Sequence, residues 1–173
     1  MSSEEVVQMA VHGDDQSFLA AIQMVKIDLY KTALAYLRNE EDALEAVQEV
    51  TFRAFKGLRG LKEPGYFKTW IIRIMINYCN DILKKQRRII LNEELLLAEG
   101  KAENHSLIEI EDAVQRLDER SREIITLKYF HDLKIKDIAL MLGCPEGTVK
   151  TWLFKALRSL REKLDEKGGI SNV

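Results

Sequence analysis

Lys134-Ile-Lys-Asp-Ile-Ala-Leu-Met-Leu-Gly-Cys-Pro-Glu-Gly-Thr-Val-Lys-Thr-Trp-Leu153 is the stretch on which the reading of the whole chain turns. Ile138, Ala139 and Leu142 give a short helix one apolar face, and small Ala139 permits close approach of a second helix. Gly143 supplies a tight turn, and Pro145 falls where a helix begins, since its missing N–H costs nothing there. Val149, Leu153, Ala156, Leu160 and Leu164 then form the inward stripe of a longer helix. This is the grammar of a helix-turn-helix. The outward face of the second helix carries Thr148, Lys150, Thr151, Phe154, Lys155, Arg158 and Arg161. Cations and hydroxyls placed this way reach base edges and phosphates when such a helix lies in a major groove. A solvated basic face would account for the stripe alone; the turn that precedes it favours DNA.

Working outward, the segments Leu107–Leu117, Ser121–Phe130, Ile135–Leu142 and Pro145–Glu166 make a carboxy-terminal domain over residues 106–173. Before it, residues 89–105 have weak periodicity and an acidic bias, with some helix expected near Glu93 to Leu97, and read as a flexible acidic linker. Residues 1–88 form an amino-terminal domain with three expected helices: Asp14–Leu37, Asp42–Leu58 and Tyr66–Arg88. Phe18, Ile22, Val25, Leu29, Ala33 and Tyr36 mark the inner face of the first. The third carries Trp70, Ile71, Ile74, Tyr78 and Ile82, and Gly57, Gly60, Pro64 and Gly65 mark the loop before it. With only two prolines in 173 residues, the expected fold is all-α: two small helical bundles joined by the linker.

The net charge of −2 looks wrong for a nucleic-acid binder until it is mapped. Residues 1–88 carry +1, residues 89–118 carry −6 and residues 119–173 carry +3, so an acidic middle masks a basic end. The third helix adds a second cationic site. Between Phe67 and Arg88, Lys68, Arg73, Lys84, Lys85, Arg87 and Arg88 face one acid, Asp81, among Tyr66, Phe67, Trp70 and Tyr78. Aromatic faces beside cations suit unstacked bases and a phosphate backbone. Trp70 itself reads better as a core residue. Cys79 and Cys144 stand apart and read as small apolar residues, and the three histidines are scattered, so no metal and no cofactor are expected. Without a basic leader or an apolar run of ~20 residues, the chain is expected to be cytoplasmic and not inserted in a membrane.

At this point the sequence resembles a known family, the extracytoplasmic-function sigma factors of bacterial RNA polymerase. Leu34-Ala-Tyr-Leu-Arg-Asn, Glu41-Asp-Ala, Val47-Gln-Glu-Val-Thr-Phe-Arg-Ala-Phe and Lys68-Thr-Trp-Ile-Ile-Arg-Ile-Met-Ile-Asn are similar to the family's region two. Cys144-Pro-Glu-Gly-Thr-Val-Lys-Thr is similar to its region four. The resemblance implies a factor that binds core polymerase and directs promoter-specific initiation. Region two would meet the β′ clamp helices through Asp42, Val47, Gln48, Glu49 and Phe52. It would also bind and melt the minus-ten element through Arg53, Gly57, Leu61, Lys68, Arg73, Asn77 and Lys84, with a flipped base held by the loop from Gly57 to Lys68. An Asn amide can both donate to and accept from a base edge, which suits Asn77. Region four would read the minus-thirty-five duplex through Thr148, Lys150, Thr151, Phe154, Lys155 and Arg158, and contact the β flap. Trp152 and Leu157 stand where the family often has Arg, so Trp152 either packs on the domain or lies along a sugar edge. An anti-sigma protein, often a membrane-anchored one, is a further implied partner.

Two other classes compete. A stand-alone helix-turn-helix regulator would need a dimer surface for two half-sites, and no heptad seam is present. An enzyme would need a phosphate loop, a metal cluster or a nucleophile with its base, and none is found. Asp118-Glu119 and Glu40-Glu41-Asp42 read as helix starts rather than catalytic pairs.

Overall fold

The computed structural model describes residues 1–94 and 107–168, and the chain divides into two compact units, Met1–Leu95 and Leu96–Val173. The described residues are helical and contain no strand, in keeping with the all-α expectation. No helix among them is long and apolar enough to cross a membrane.

The first unit opens with a helix that periodicity did not suggest, α1, Ser3–Val11. Its start is a capping box: the Ser2 hydroxyl accepts from the Glu5 amide at 3.2 Å, and the Glu5 carboxylate accepts from the Ser2 amide at 2.7 Å. Helix α2, Asp15–Leu37, buries all six of its expected inner residues, Phe18 through Tyr36. Asp14 caps it, accepting from the Ser17 amide at 3.0 Å and from the Ser17 hydroxyl. These bonds hold the Asp14 carboxyl below its ordinary range. The helix ends where Arg38 turns left-handed at φ 54°, and Asn39 caps the next by accepting from the Asp42 amide at 2.9 Å. Helix α3, Glu40–Gly57, therefore starts on the acidic triplet as expected. Ala43, Ala46, Val50 and Ala54 face inward, and these small residues let α3 lie close against α2.

Two short 3-10 turns, Leu58–Gly60 and Pro64–Tyr66, occupy the loop before α4, Phe67–Glu94. The core face of α4 includes Ile71 but otherwise differs from the apolar residues that stand out in its sequence. Phe67, Ile71, Ile72, Met75, Ile76 and Cys79 are buried, whereas Trp70, Ile74, Tyr78 and Ile82 are only partly covered. Two apolar stripes run along this helix, and the one without aromatic hydroxyl or indole groups wins the interior. Full burial of each large aliphatic side chain there contributes roughly 1.5–3 kcal/mol. The helix also continues six residues beyond Arg88, into the segment read as linker. Ile89 to Glu94 hold no Gly or Pro, and charge alone does not stop a helix. The helix expected near Glu93 to Leu97 falls partly in α4 and otherwise lies outside the described residues.

The second unit comprises α5, Leu107–Gln115, α6, Glu119–Ile125, α7, Ile135–Leu142, and α8, Glu146–Gly168. Asp118 caps α6, accepting from the Ser121 amide at 3.0 Å and hydroxyl at 2.7 Å. The helix expected to run straight to Phe130 instead widens into a π turn over Thr126–Phe130. Leu117, Ile125 and Ala156 form a core cluster, with Val114, Leu153 and Leu160 packed against it. Arg122 is 4% exposed, and its guanidinium donates to the carbonyls of Val114 at 3.4 Å, Gln115 at 2.9 Å and Leu117 at 2.9 Å. One buried cation thus closes the α5–α6 turn by satisfying carbonyls that water would otherwise have to reach.

Candidate nucleic-acid interfaces

The junction between α7 and α8 has the expected turn chemistry. Gly143 is left-handed at φ 63° and ψ 38°, and the Cys144 amide returns to the Ala139 carbonyl at 3.1 Å. The Pro145 carbonyl accepts from the amides of Thr148 at 3.0 Å and Val149 at 3.3 Å, so α8 begins immediately after the proline. Val149 and Ala156 are fully buried, which fixes the rotation of α8 about its axis. Lys150, Thr151, Phe154, Lys155 and Arg158 are consequently exposed, and Thr148 is partly covered. Phe154, at 68% exposure, is a large apolar side chain of α8 that packing does not explain. The Thr151 hydroxyl donates to the Gly147 carbonyl at 3.0 Å, and Arg158 pairs with Glu162 at 3.3 Å. Both groups of that ion pair are solvated, so it yields readily to a stronger anion. Trp152 takes the first of its two expected dispositions: its ring lies 4.6 Å beneath the guanidinium of Arg120 on α6. Leu157 is exposed.

In the first unit, Arg73, Asn77 and Lys84 follow one another at spacings of four and seven, and so line one ridge of α4. Asn77 and Lys84 are exposed, and Arg73 is half-buried. Lys68 is not on that ridge. It turns toward α2, where its ammonium meets Asp28 at 2.7 Å. Arg53 is also engaged, with Glu49 at 2.8 Å and the Tyr78 ring 5.0 Å from its guanidinium. Burial pushes the Tyr78 hydroxyl above its ordinary range, and the charges of Glu45 and Glu49 add to the effect. Gly57 lies against Trp70: a Cβ placed there would stand 3.4 Å from the indole ring. Leu61 follows the first 3-10 turn in extended conformation, its amide held by the Leu58 carbonyl at 2.9 Å.

The α3 residues divide. Gln48 and Phe52 are exposed, with the Lys56 ammonium 4.2 Å from the Phe52 ring, and Asp42 and Glu49 are partly covered. Val47 is 7% exposed and belongs to the core. A β-branched aliphatic three residues from Val50 lies on the inward ridge, so Val47 underlies the exposed α3 residues rather than standing out among them. Sequence reasoning counted Leu44 and Phe55 only as apolar positions of α3; both are about half exposed and extend the apolar part of that surface. Their spacing from Gln48 and Phe52 was the available signal. It passed over α1, whose Glu4 carboxylate stands beside Gly65 in the loop before α4. Among the described residues no group of three or more His, Cys, Asp or Glu is placed to hold a metal ion.

Two family models match the chain, sigma-70 region 2 over residues 21–89 and sigma-70 region 4 over residues 107–160. The chain is 33% identical over 145 residues to RNA polymerase sigma factor SigV of Bacillus subtilis, covering 82% of this chain and 87% of that protein. Among solved structures it is similar to CnrH, determined with the cytosolic domain of CnrY, at a TM-score of 0.72 and 22% identity over 95% of this chain and 97% of that one. The sigma factor RpoE of Bartonella quintana, solved with the anti-sigma factor NepR, gives a TM-score of 0.67 at 22% identity, covering 87% and 98%. At that identity the structural likeness concerns the fold.

Proposed function

The chain belongs to the extracytoplasmic-function sigma factors of RNA polymerase, and we propose from that membership how its surfaces divide the work of promoter-directed initiation. Residues 106–173 hold the duplex reader: Thr148, Lys150, Thr151, Phe154, Lys155 and Arg158 engage the minus-thirty-five element, and the same domain meets the β flap. Residues 1–88 hold the core-binding and melting surfaces. Asp42, Gln48, Glu49 and Phe52 on α3 meet the β′ clamp helices, while Arg73, Asn77 and Lys84 line the path of the non-template strand. Gly57 and Leu61 frame the loop that receives a flipped minus-ten base. Arg53 and Lys68 join them by exchanging their present partners, Glu49 and Asp28, for phosphate. Such surface pairs are worth about 0–1 kcal/mol, so that exchange costs little.

The observation that carries this reading is the rotation of α8, which buries Val149 and Ala156 and leaves a continuous hydroxyl and cationic face outside. The chain itself makes and breaks no bond; polymerase does the chemistry. Its place of action is the cytoplasm, where polymerase and promoter DNA are. An anti-sigma protein holds it inactive by covering the α3 surface, a reading supported by RpoE having been solved with one. The test is transcription in vitro with purified core polymerase on a genomic template library. Transcripts with discrete start sites should appear only when the full chain is added. Failure of the chain to bind core polymerase at low salt would leave the stand-alone regulator as the better account.

A further inference from the structure

Arg120 belongs to none of the surfaces assigned above, yet three observations set it apart from an ordinary surface cation. Its guanidinium lies 4.6 Å from the centre of the Trp152 ring. Its Nη1 pairs at 2.8 Å with Glu123, whose side chain is only 9% exposed. Its own side chain nevertheless remains 47% exposed. A long side chain that gives up its rotamers to an aromatic face and an inward-facing carboxylate has been fixed in direction. A guanidinium presents five donors in a rigid fork, and Glu123 accepts from its Nη1, which leaves N–H groups of the half-exposed side chain for solvent or a ligand.

The direction follows from α8. Trp152 lies four residues after Thr148 and three before Lys155, so its ring sits between them on one ridge of the helix. That ridge borders the outward face and is set off from the inward line of buried Val149 and Ala156 and partly buried Leu153 and Leu160. Arg120 is therefore a cation from α6 held along the flank of the exposed face of α8. A helix seated in a major groove has phosphate backbones along its flanks, not beneath its tip, and fixed guanidinium groups match phosphate oxygens in geometry as well as charge.

We propose that Arg120 is a backbone-phosphate contact of the upstream promoter duplex, presented by Trp152 and anchored by Glu123. The proposal rests on the reading of α8 as the duplex reader. Trp152 is on this account a positioning residue: it supplies a platform for the cation and no contact of its own. Phosphate contact positions a protein without reading sequence, so the effect of Arg120 is uniform across promoters.

The experiment uses the full chain with core polymerase and a labelled duplex selected by that complex from a randomised pool, with affinity measured across a salt series. Arg120→Gln should weaken binding several-fold at low salt and lower the slope of log affinity against log salt by about one. Trp152→Phe should retain both values, because a smaller ring still carries the cation, whereas Trp152→Leu should reproduce much of the loss. Lys155→Ala, run alongside, reports on α8 itself. If Lys155→Ala lowers affinity and slope while Arg120→Gln changes neither, the proposal is overturned and the reading of α8 stands. If neither substitution has an effect, both fall. Weaker binding by Arg120→Gln with an unchanged slope and a lower melting temperature would assign Arg120 to packing between α6 and α8, and would equally overturn the proposal.

Discussion

Asn77 stands on the α4 ridge with Arg73 four residues before it and Lys84 seven after, an amide between two cations. Cations hold a phosphate backbone without regard to sequence; an amide discriminates by pairing donor and acceptor to a base edge. Asn77→Ala should accordingly impair open-complex formation, followed by permanganate reactivity of unpaired thymines, while leaving closed-complex affinity within about twofold. Equal loss of both would assign Asn77 to duplex binding. Cys79 behaves in the opposite way. Burial pushes its thiol up to about 12, and its side chain contacts Met75 at 3.7 Å. The thiolate is the reactive form, so native protein treated with iodoacetamide at neutral pH should label at partly exposed Cys144 and not at Cys79 until the chain is unfolded. Labelling of Cys79 at the same rate as Cys144 would contradict its place in the core.

Helix α6 is short, and its start rests on Asp118. Partial burial alone would raise the Asp118 carboxyl, but hydrogen bonds from the Ser121 hydroxyl and amide outweigh it and hold the group below its ordinary range. A carboxyl depressed on folding stabilises above its unfolded value and loses that contribution as pH falls through its folded value. Asp118→Ala should therefore cost about 1 kcal/mol at neutral pH, read as a lower melting temperature, and the gap from wild type should narrow below pH 4. A gap independent of pH would place the loss elsewhere. At this scale the sequence was readable wherever one pattern was uncontested. The inner face of α2 and the turn at Gly143 are instances, since Phe18 to Tyr36 recur at unbroken helical spacing and Pro145, two residues after Gly143, marks where the next helix starts. Along α4 two apolar stripes compete, and the choice between them is made by what α2 and α3 offer opposite. Helix α1 was missed although Ser2 and Glu5 spell a capping box, because nine residues give too short a window for periodicity. Val47 could not be told from its exposed neighbours until the rotation of α3 was known.

Each unit of the molecule carries its own core. In the first, α2 packs against α1, α3 and α4, and in the second, α8 packs against α5, α6 and α7. The first ends at Leu95, seven residues beyond the boundary that composition suggested. A fragment of residues 1–95 should thus show a helical circular dichroism spectrum with a cooperative melt, and should capture core polymerase in a pull-down at low salt. A folded fragment that captures none would remove the α3 surface from the proposed function. Truncation at residue 88 should melt at lower temperature, because it cuts α4 within its last two turns.

The Arg122 clamp gives the second unit an asymmetric response to its surroundings. A guanidinium keeps its charge at any pH the chain survives, so the carbonyls it gathers at the end of α5 stay fastened in alkali. The neighbouring fastening, at the start of α6, depends on a carboxylate and slackens in acid. The same turn is thus held from one side by a lock that does not titrate and from the other by one that does. Acid should reach the scaffold beneath α8 through Asp118, whereas base leaves the Arg122 side of this turn fastened.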